Sequence, residues 1–596
     1  MLPNINIGDL WLDCLNFLPE FLACGGIVLF LLLRLFDRSH MGTIALLVTV
    51  LALGVSIAQW SSVGPFQAGG PNARDIAHPV RAFGGLLVYD HLTIFLRCFL
   101  YGFTAFIIWL SLTTGIPDRE DSADFYCLLL GATVGMVIMA SATHLLMVYI
   151  GIEMASLPSY ALAGYLKGRR QSSEAALKYV VYGGGAAGVM LYGISLLAGR
   201  FGTAYLPDVA AGLMYSFSST ADGVFFDPIL ILGVLFILIG VAFKLAAVPF
   251  HFWCPDVFEG ASAEVAGYLS VASKGAALAL LARFTLILGG VDGLVEPVES
   301  QHWDIMVRYL IPALAFFAAL TATFGNLAAY LQNNLKRLLA YSTIAHAGYM
   351  MMGLAALRPT AGTSDRFEAV GLQAVLFYLV AYLFMNLGAF GVVAYLRNQT
   401  GSENLEDYRG LVRRSPWMVV TLSIFLLSLL GLPPLVGFTA KFQIFAALWD
   451  CSQAWYAKGN AGLGATLFGL LIIGGINSVV SAVYYIKVLK VMILEGRAED
   501  LEGREPVRLR EPLSAVAFSL IVALFVVVLG ILWAPLDKYS QEGADRFVQR
   551  KTGSAGGPAM GGGGGGPQRP GSGRAVGGGG RRPQRGGAGA GGAKGR

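Results

Sequence analysis

The sequence is poor in charged residues and lacks the short motifs with which enzymes hold redox cofactors and nucleotides. Only 13% of its 596 residues are Asp, Glu, Lys or Arg, and 56% are hydrophobic, which is typical of a protein that crosses a membrane many times. The six cysteines stand singly and never form CxxC, so neither a disulfide framework nor a zinc or iron–sulfur site is indicated. No GxGxxG follows a predicted strand, and no Walker A or HExxH sequence occurs. We therefore expect this chain to bind no cofactor, and its energy source to be a neighbouring protein or an ion gradient.

Long apolar stretches fill most of the chain and predict an all-α polytopic membrane protein. A window of about 19 residues indicates about fourteen transmembrane helices. They lie near 15–36, 41–59, 86–113, 124–142, 144–166, 175–199, 228–250, 263–288, 306–329, 337–357, 368–396, 416–449, 464–494 and 512–534. The first residues lack a basic region ahead of the apolar run, so we expect the first helix to remain as a membrane anchor rather than to be removed as a signal peptide.

Two of these helices are predicted to be discontinuous. The twelfth contains Gly431, Pro433 and Pro434 near its middle, and the seventh contains Pro249 five residues after Lys244. Proline removes a backbone donor and clashes with the preceding turn, so each segment should consist of two pieces joined by unwound backbone.

The broken helices recur at equivalent places and predict an internal repeat. Helices four to eight and nine to thirteen form two blocks of five, each with its broken helix in fourth place. Because five is odd, the second block enters the membrane in the opposite sense, as in the inverted repeats of transporters. The predicted domains are 1–123 (helices one to three), 124–288 (first repeat), 289–495 (second repeat), 496–537 (helix fourteen) and 538–596 (a disordered Gly/Arg-rich tail).

Basic residues predict the orientation in the membrane. Connections after odd-numbered helices are rich in Lys and Arg, for example 167–170 and 409–414, whereas those after even-numbered helices are poorer. The positive-inside rule then places the odd connections in the cytoplasm and both termini on the non-cytoplasmic side. The glycine-rich tail cannot bury a core, and on that side of the membrane it is expected to contact solvent or anionic lipid rather than nucleic acid.

Four charged residues lie deep within predicted transmembrane helices: Glu153, Lys244, Lys274 and Lys441. A lysine at the centre of such a helix costs roughly 2.5–3.5 kcal/mol on insertion scales, so each of these residues needs a partner, water or a function. Glu153 is the natural counter-ion for one of the lysines. A structural ion pair that locks helices together is the alternative, but such a device requires neither broken helices nor an excess of lysine.

Two further residues are weaker candidates for proton transfer. His346 is an imidazole within a predicted helix and is suited to relay protons, although a hydrogen-bonded structural histidine fits the sequence equally well. Lys336 lies at the predicted cytoplasmic end of the same helix. It is either a proton-uptake residue or an anchor whose ammonium reaches the membrane surface, and the sequence favours the anchor.

Several of these segments resemble subunit N of the proton-pumping NADH:quinone oxidoreductase, respiratory complex I. The similar runs are VAFKLAAVPFHFWCPDVFEGA, LLMVYIGIEMASLPSYALAGY, EAALKYVVYGGGAAGVMLYGISLL, NNLKRLLAYSTIAHAGYMMMGL, LLGLPPLVGFTAKFQIF and INSVVSAVYYIKVLKVMIL. They cover residues 19–494 in the order of the family. The related subunits L and M tend to read HxWLPDAHxxAP where this chain reads HFWCPDVFEGA, and M usually carries glutamate at the position of Lys441. Cys254, Phe258 and Ser262 depart from the usual residues of the motif without removing a proton carrier.

The resemblance implies a function and a role for each buried charge. Glu153 would pair with Lys244 as the central switch, Lys274 would connect, and Lys441 would lead to the other side of the membrane. The chain would be a subunit of a translocase with no redox centre of its own, whose NADH, FMN, iron–sulfur clusters and quinone lie in other subunits. Its partners would be the antiporter-like and small membrane subunits of complex I, the lipid bilayer and protons. Fourteen helices suggest a multi-pass protein of a bacterial inner membrane.

Two other functions are compatible with the sequence. The chain is alternatively a subunit of a cation/proton antiporter, which sodium dependence would reveal. It is otherwise a membrane-arm scaffold that no longer pumps, but a scaffold has no need to retain four costly buried charges.

Overall fold

The structure, a computed structural model, describes residues 7–35, 40–61, 80–117, 121–218, 227–289, 300–359, 367–496 and 509–545. These residues form a bundle of α-helices with two short β-hairpins, in agreement with the predicted all-α class. The helices are α1 (Ile7–Asn16), α2 (Leu18–Leu33), α3 (Met41–Ser61), α4 (His91–Thr114), α5 (Ser122–Ser141), α6 (Leu145–Ala163), α7 (Arg170–Phe201), α8 (Leu206–Ser218), α9 (Pro228–Leu245), α10 (Trp253–Gly260), α11 (Ala263–Tyr268), α12 (Lys274–Leu288), α13 (Ser300–Ala329), α14 (Leu335–Ala355), α15 (Val370–Thr400), α16 (Pro416–Leu430), α17 (Val436–Ala457), α18 (Ala461–Ile493), α19 (Leu513–Ile531) and α20 (Ala534–Asp545). The hairpins pair β1 (Val80–Ala82) with β2 (Leu87–Tyr89), and β3 (Arg358–Pro359) with β4 (Phe367–Glu368), both antiparallel.

Length and composition identify a multi-pass membrane protein. Among the described residues, eleven helices are long and apolar enough to cross a membrane, or twelve if α1 and α2, bent by 75°, are one span. Many large apolar side chains on the outer helices, α2, α7 and α18 among them, are exposed, as expected where helices face lipid. In contrast, the segment 263–288 is buried throughout. It forms the centre of the bundle.

The break in α9 comes earlier than the predicted span 228–250 implied. The helix ends at Leu245, and Ala246 adopts a left-handed conformation with φ 55°. The amide of Ala247 then donates to the carbonyl of Ala242 at 2.9 Å, the long-range bond of a Schellman ending. Because the residue before a proline disfavours the α conformation, the helix cannot resume before Pro249. Lys244 therefore lies in the last turn of α9, directly beside the break.

The break between α16 and α17 lies where glycine and proline predicted it. Gly431 ends α16 with φ 93°, a conformation that residues with a side chain rarely adopt. At Gly437, a β-carbon would lie 1.8 Å from the carbonyl oxygen of Ser428. Glycine at both places allows α17 to approach the open end of α16.

Two predicted boundaries are wrong. The third transmembrane helix was expected from residue 86, but Leu87–Tyr89 is a strand, and α4 begins at His91 because the Asp90 side chain accepts a 2.7 Å hydrogen bond from the Thr93 amide. The tail was expected to be disordered from residue 538, but α20 continues to Asp545. Asp537 fixes this helix to the bundle by accepting hydrogen bonds from Gln373 and Gln443. The rest of the predicted tail, 546–596, lies outside the described residues.

Candidate functional site

Lys244 lies against the face of α6 that carries Glu153. The ammonium, 1% exposed, donates to the Ser156 hydroxyl at 3.0 Å. Ser156 and Glu153 are three residues apart on α6 and therefore share one face of the helix. The charges of Glu153 and Lys244 act on each other, but these two described residues form no ion pair within 4.0 Å, and Oε1 of Glu153 is buried without a hydrogen-bond partner. The predicted pair is thus adjacent but open, with a serine holding the lysine.

Lys274 lies at the centre of the bundle, at a local change of helix type. A π-helical turn, Leu269–Ser273, joins α11 to α12, and Lys274 is the first residue after it. Such turns often mark functional sites in helices. The lysine is 0% exposed, and its ammonium donates to the Thr343 hydroxyl on α14 at 2.5 Å. No carboxylate lies within ion-pair distance of it among the described residues, so Lys274 depends on neutral partners.

His346 lies between Lys274 and Lys441. It follows Thr343 by one turn of α14, and the charges of both lysines act on its ring. Nδ1 is 2.7 Å from the Tyr378 hydroxyl and Nε2 is 3.2 Å from the Tyr485 hydroxyl. Each ring nitrogen therefore has a hydroxyl partner that can both donate and accept, which is the arrangement a proton relay requires.

Lys441 uses the open end of the broken helix. Its ammonium donates to the carbonyl of Leu430 at 2.9 Å and to the Ser478 hydroxyl at 3.1 Å. The last carbonyls of a helix have no partner within it and carry partial negative charge, so they stabilise a cation. The ammonium also lies 4.9 Å from the centre of the Tyr349 ring, within the range of a cation–π contact. Because Lys441 is only 4% exposed, the open helix end supplies the hydrogen-bond acceptors that its ammonium could not find in lipid.

The interpretation of Lys336 as a surface anchor is wrong. The side chain is 1% exposed and therefore does not reach the membrane surface. Its ammonium donates to the carbonyl of Ala261 at 2.6 Å and forms a 2.9 Å ion pair with Glu403. Glu403 in turn lies 3.3 Å from Arg397. Lys336 belongs to a buried charge cluster at the end of the bundle where α14 begins.

A buried ion pair between Arg283 and Asp90, which involves none of the candidate lysines, is not predicted from the sequence. Both terminal nitrogens of Arg283, in the last turns of α12, bond the Asp90 carboxylate at 2.8 and 2.9 Å. Burial alone would raise the pKa of Asp90. The positive charge of Arg283, together with hydrogen bonds from Arg283 and Thr93, holds that pKa below its ordinary value. Asp90 ends the β1–β2 hairpin segment, so this bidentate pair joins the hairpin to the central helix.

The uncharged hydrogen-bond partners of the buried lysines and of His346 are likewise not predictable from the sequence. Ser156, Thr343, Tyr378, Ser478 and Tyr485 are ordinary residues of apolar helices, and only the packing of different helices shows which lysine or histidine each contacts. Among the described residues, no three His, Cys, Asp or Glu side chains converge as metal ligands would.

Comparison with known proteins identifies the family. The family described as "NADH:quinone oxidoreductase/Mrp antiporter, TM" matches residues 142–468. NADH-quinone oxidoreductase subunit N of Anaeromyxobacter sp. (strain Fw109-5) is 38% identical over 546 residues, covering 90% of this chain and 97% of that protein. The chain belongs to the subunit N family. The resemblance read from its motifs is confirmed, and all six candidate residues, from Glu153 to Lys441, lie within the matched range.

Solved structures agree with this assignment. A chain of respiratory complex I from Thermus thermophilus with bound aureothin is 30% identical and has a TM-score of 0.64, with 87% of this chain and 98% of that chain covered. A chain of the Mrp complex from Dietzia sp. DQ12-45-1b has a TM-score of 0.68 at 18% identity, covering 89% and 96%. The latter likeness concerns the fold alone. This chain and that chain of the Mrp complex therefore share a fold.

Proposed function

We propose that this chain is a proton-translocating subunit in the membrane arm of an NADH-quinone oxidoreductase. The observation that carries the proposal is the row of buried, hydroxyl-held cations in a member of the subunit N family. Lys244, Lys274 and Lys441 are each almost fully buried, and none forms an ion pair within 4.0 Å among the described residues. A group held in this way can exchange its proton without first breaking a salt bridge. NADH, FMN, iron–sulfur clusters and quinone are bound by other subunits of the complex.

The buried residues take successive roles in proton transfer. Glu153 and Lys244 form the switch: when their charges approach, the carboxylate stabilises the protonated lysine, and when they separate, Lys244 is driven to release its proton. Lys274 is the next carrier, and His346 relays between it and Lys441. Lys441 releases the proton toward the far side. Moving one charge across the membrane potential costs about 2.3 kcal/mol per 100 mV, which charge rearrangement triggered by quinone reduction in partner subunits supplies.

The described helices also support a membrane topology of fourteen crossings. With the bent α1–α2 pair counted as one span there are twelve candidate spans, and adding α14 and the α16–α17 pair gives fourteen crossings. The blocks 124–288 and 289–495 then form inverted five-helix repeats, because the breaks after α9 and after α16 both fall in the fourth crossing of a block. Residues 1–123 supply helices one to three, and 496–537 supply helix fourteen. The chain belongs to a bacterial inner membrane, with both termini on the non-cytoplasmic side and other membrane subunits as partners.

Replacement of Lys441 tests this function. Lys441→Met removes the terminal carrier but retains most of the apolar stem, and Lys538→Met, at an exposed position of α20, is the matched control. In membrane vesicles containing the assembled complex, we expect Lys441→Met to lower NADH oxidation by quinone and proton uptake together, and Lys538→Met to change neither. Normal pumping by assembled Lys441→Met would contradict the proposal and favour a scaffold.

The sodium dependence of transport separates the second candidate function. The Dietzia Mrp complex shares the fold, which keeps a cation/proton antiporter subunit as the alternative. Proton pumping that persists when sodium is replaced by choline supports the complex I function, whereas pumping that requires sodium supports the antiporter.

A further inference from the structure

Glu264 is a buried carboxyl group that has no role in the proposed proton path. It lies in the first turn of α11, is 1% exposed, and both of its oxygens lack a hydrogen-bond partner in the part of the chain that the structure describes. An ionised carboxylate buried without partners is very costly, so such a group either holds a proton or binds water. Glu264 is therefore suited to exchange protons rather than to lock helices.

The charge cluster around Lys336 lies next to Glu264 and leads to solvent. Lys336 reaches the carbonyl of Ala261, three residues before Glu264, and its charge interacts with the Glu264 carboxylate. Glu403, the ion-pair partner of Lys336, has a side chain that is 11% exposed. Tyr395 on α15 also interacts electrostatically with Glu264. Glu403 and Lys336 therefore offer protons a route from solvent toward Glu264.

Lys274 lies farther along the same central segment. Lys336 contacts the start of this segment, and Thr343, seven residues later on α14, contacts Lys274. At 1.5 Å per residue, seven residues of helix span about 10 Å. The two contacts advance in the same direction along both segments. The Glu264–Lys336 layer therefore lies on the side of the Lys274–Thr343 layer where α14 begins, about two helical turns of α14 away.

Buried polar groups occupy the interval between these layers. Asn386 on α15 donates to the Ser270 hydroxyl at 2.9 Å and to the Tyr382 hydroxyl at 2.7 Å. The side-chain carbonyl oxygen of Asn386 is buried without a hydrogen-bond partner among the described residues. Unsatisfied buried polar atoms of this kind hold ordered water, and such waters would connect Glu264 to Lys274.

We propose that Glu264 is the proton-loading residue for Lys274, supplied through Glu403 and Lys336 and connected through Asn386. The inference rests on the proposed function and adds to it the uptake route. In the loading step, the O–H bond of neutral Glu264 breaks and an N–H bond forms on the neutral amine of Lys274 by way of the intervening water. The Glu264 carboxylate then regains a proton from the Glu403 side. In the proposed orientation this side is cytoplasmic, so protons are taken up there.

Substitution of Glu264 in the assembled complex tests the route. Glu264→Gln keeps the size of the side chain but cannot carry a proton, Glu264→Asp keeps the acid, and Glu406→Gln removes an exposed carboxylate near Glu403 as the control. We expect Glu264→Gln to lower quinone-dependent turnover and proton pumping about tenfold or more, with a larger loss as the pH on the uptake side rises. Glu264→Asp should restore most of both activities, and Glu406→Gln should resemble the unmodified complex.

A second variant covers the case in which Glu264→Gln does not assemble. Asn386→Leu leaves the carboxylate in place and removes the polar connection, and it should show the same loss with the same pH dependence. The loading route is overturned if assembled Glu264→Gln or Asn386→Leu pumps at the wild-type level while Lys274→Ala is inactive. That result leaves the proposed function intact. Wild-type pumping by Lys274→Ala would instead remove the proposed function itself, and this inference with it.

Discussion

The open pair of Glu153 and Lys244 predicts strong coupling between substitutions at the two residues. Two unit charges 4 Å apart interact by about 4 kcal/mol at an effective dielectric constant of about 20. The two charged groups are farther apart than 4 Å, and Glu153 is partly exposed, so we take about 1–2 kcal/mol for their interaction. At about 1.4 kcal/mol per tenfold change, this is a fivefold to thirtyfold effect on rate.

The assay is a double-mutant cycle on the assembled complex. Glu153→Gln and Lys244→Met should each lower the rate of NADH oxidation by quinone, because each leaves its partner without a counter-charge. The double variant should be no slower than the slower single variant, so the coupling free energy calculated from the rates is about 1–2 kcal/mol.

The control cycle combines two exposed residues, Glu406→Gln with Lys538→Met, and should give no coupling. If the effects of Glu153→Gln and Lys244→Met on the activation free energy simply add, to within about 0.5 kcal/mol, the two residues do not act as one switch.

Three further predictions follow from single sites. Gly431→Ala should destabilise the break by roughly 1–3 kcal/mol, because φ is 93° and the new β-carbon would lie 3.1 Å from Cδ of Lys441; pumping by the assembled complex should fall, and unchanged pumping would contradict this. His346→Leu should block proton transfer to Lys441. His346→Gln, which keeps hydrogen bonding without titrating, should lower proton pumping equally; an active His346→Gln would show that the ring has only a structural role. Asp90→Asn should cost about 3–5 kcal/mol by leaving Arg283 buried without a counter-charge, visible as a lower inactivation temperature, while normal stability would refute the bidentate pair.

The sequence predicted the features that have a local physical cause. Lys244, Lys274 and Lys441 stand out because a charge within an apolar helix is costly wherever the helix lies. The break at Gly431 is readable for the same reason, since backbone geometry restricts glycine and proline independently of the fold.

Features that depend on the packing of distant segments were missed. Lys336 was misinterpreted because its burial and its partner Glu403, 67 residues away, exist only in the folded bundle. The sequence does not single out Glu264, because a charge in the first turn of a membrane helix is usually at the surface, whereas here that turn lies in the interior. The π-helical turn before Lys274 has no sequence signature of its own.

The same limit applies to the ends of helices. The start of α4 was placed five residues early because the apolar run continues through the strand Leu87–Tyr89. The signal that was available is Asp90 followed three residues later by Thr93, whose amide the aspartate caps.

Parallel measurement of turnover and pumping in Lys244→Ala decides whether the buried lysines carry protons across the membrane. The variant complex is first checked for assembly on a native gel, and NADH oxidation by quinone and proton uptake are then followed in the same vesicles, with Lys538→Ala as the control. We expect both activities to fall sharply in assembled Lys244→Ala and to stay unchanged in the control. Turnover and pumping at the unmodified level in Lys244→Ala would show that the buried lysines are structural and that protons do not cross the membrane through them.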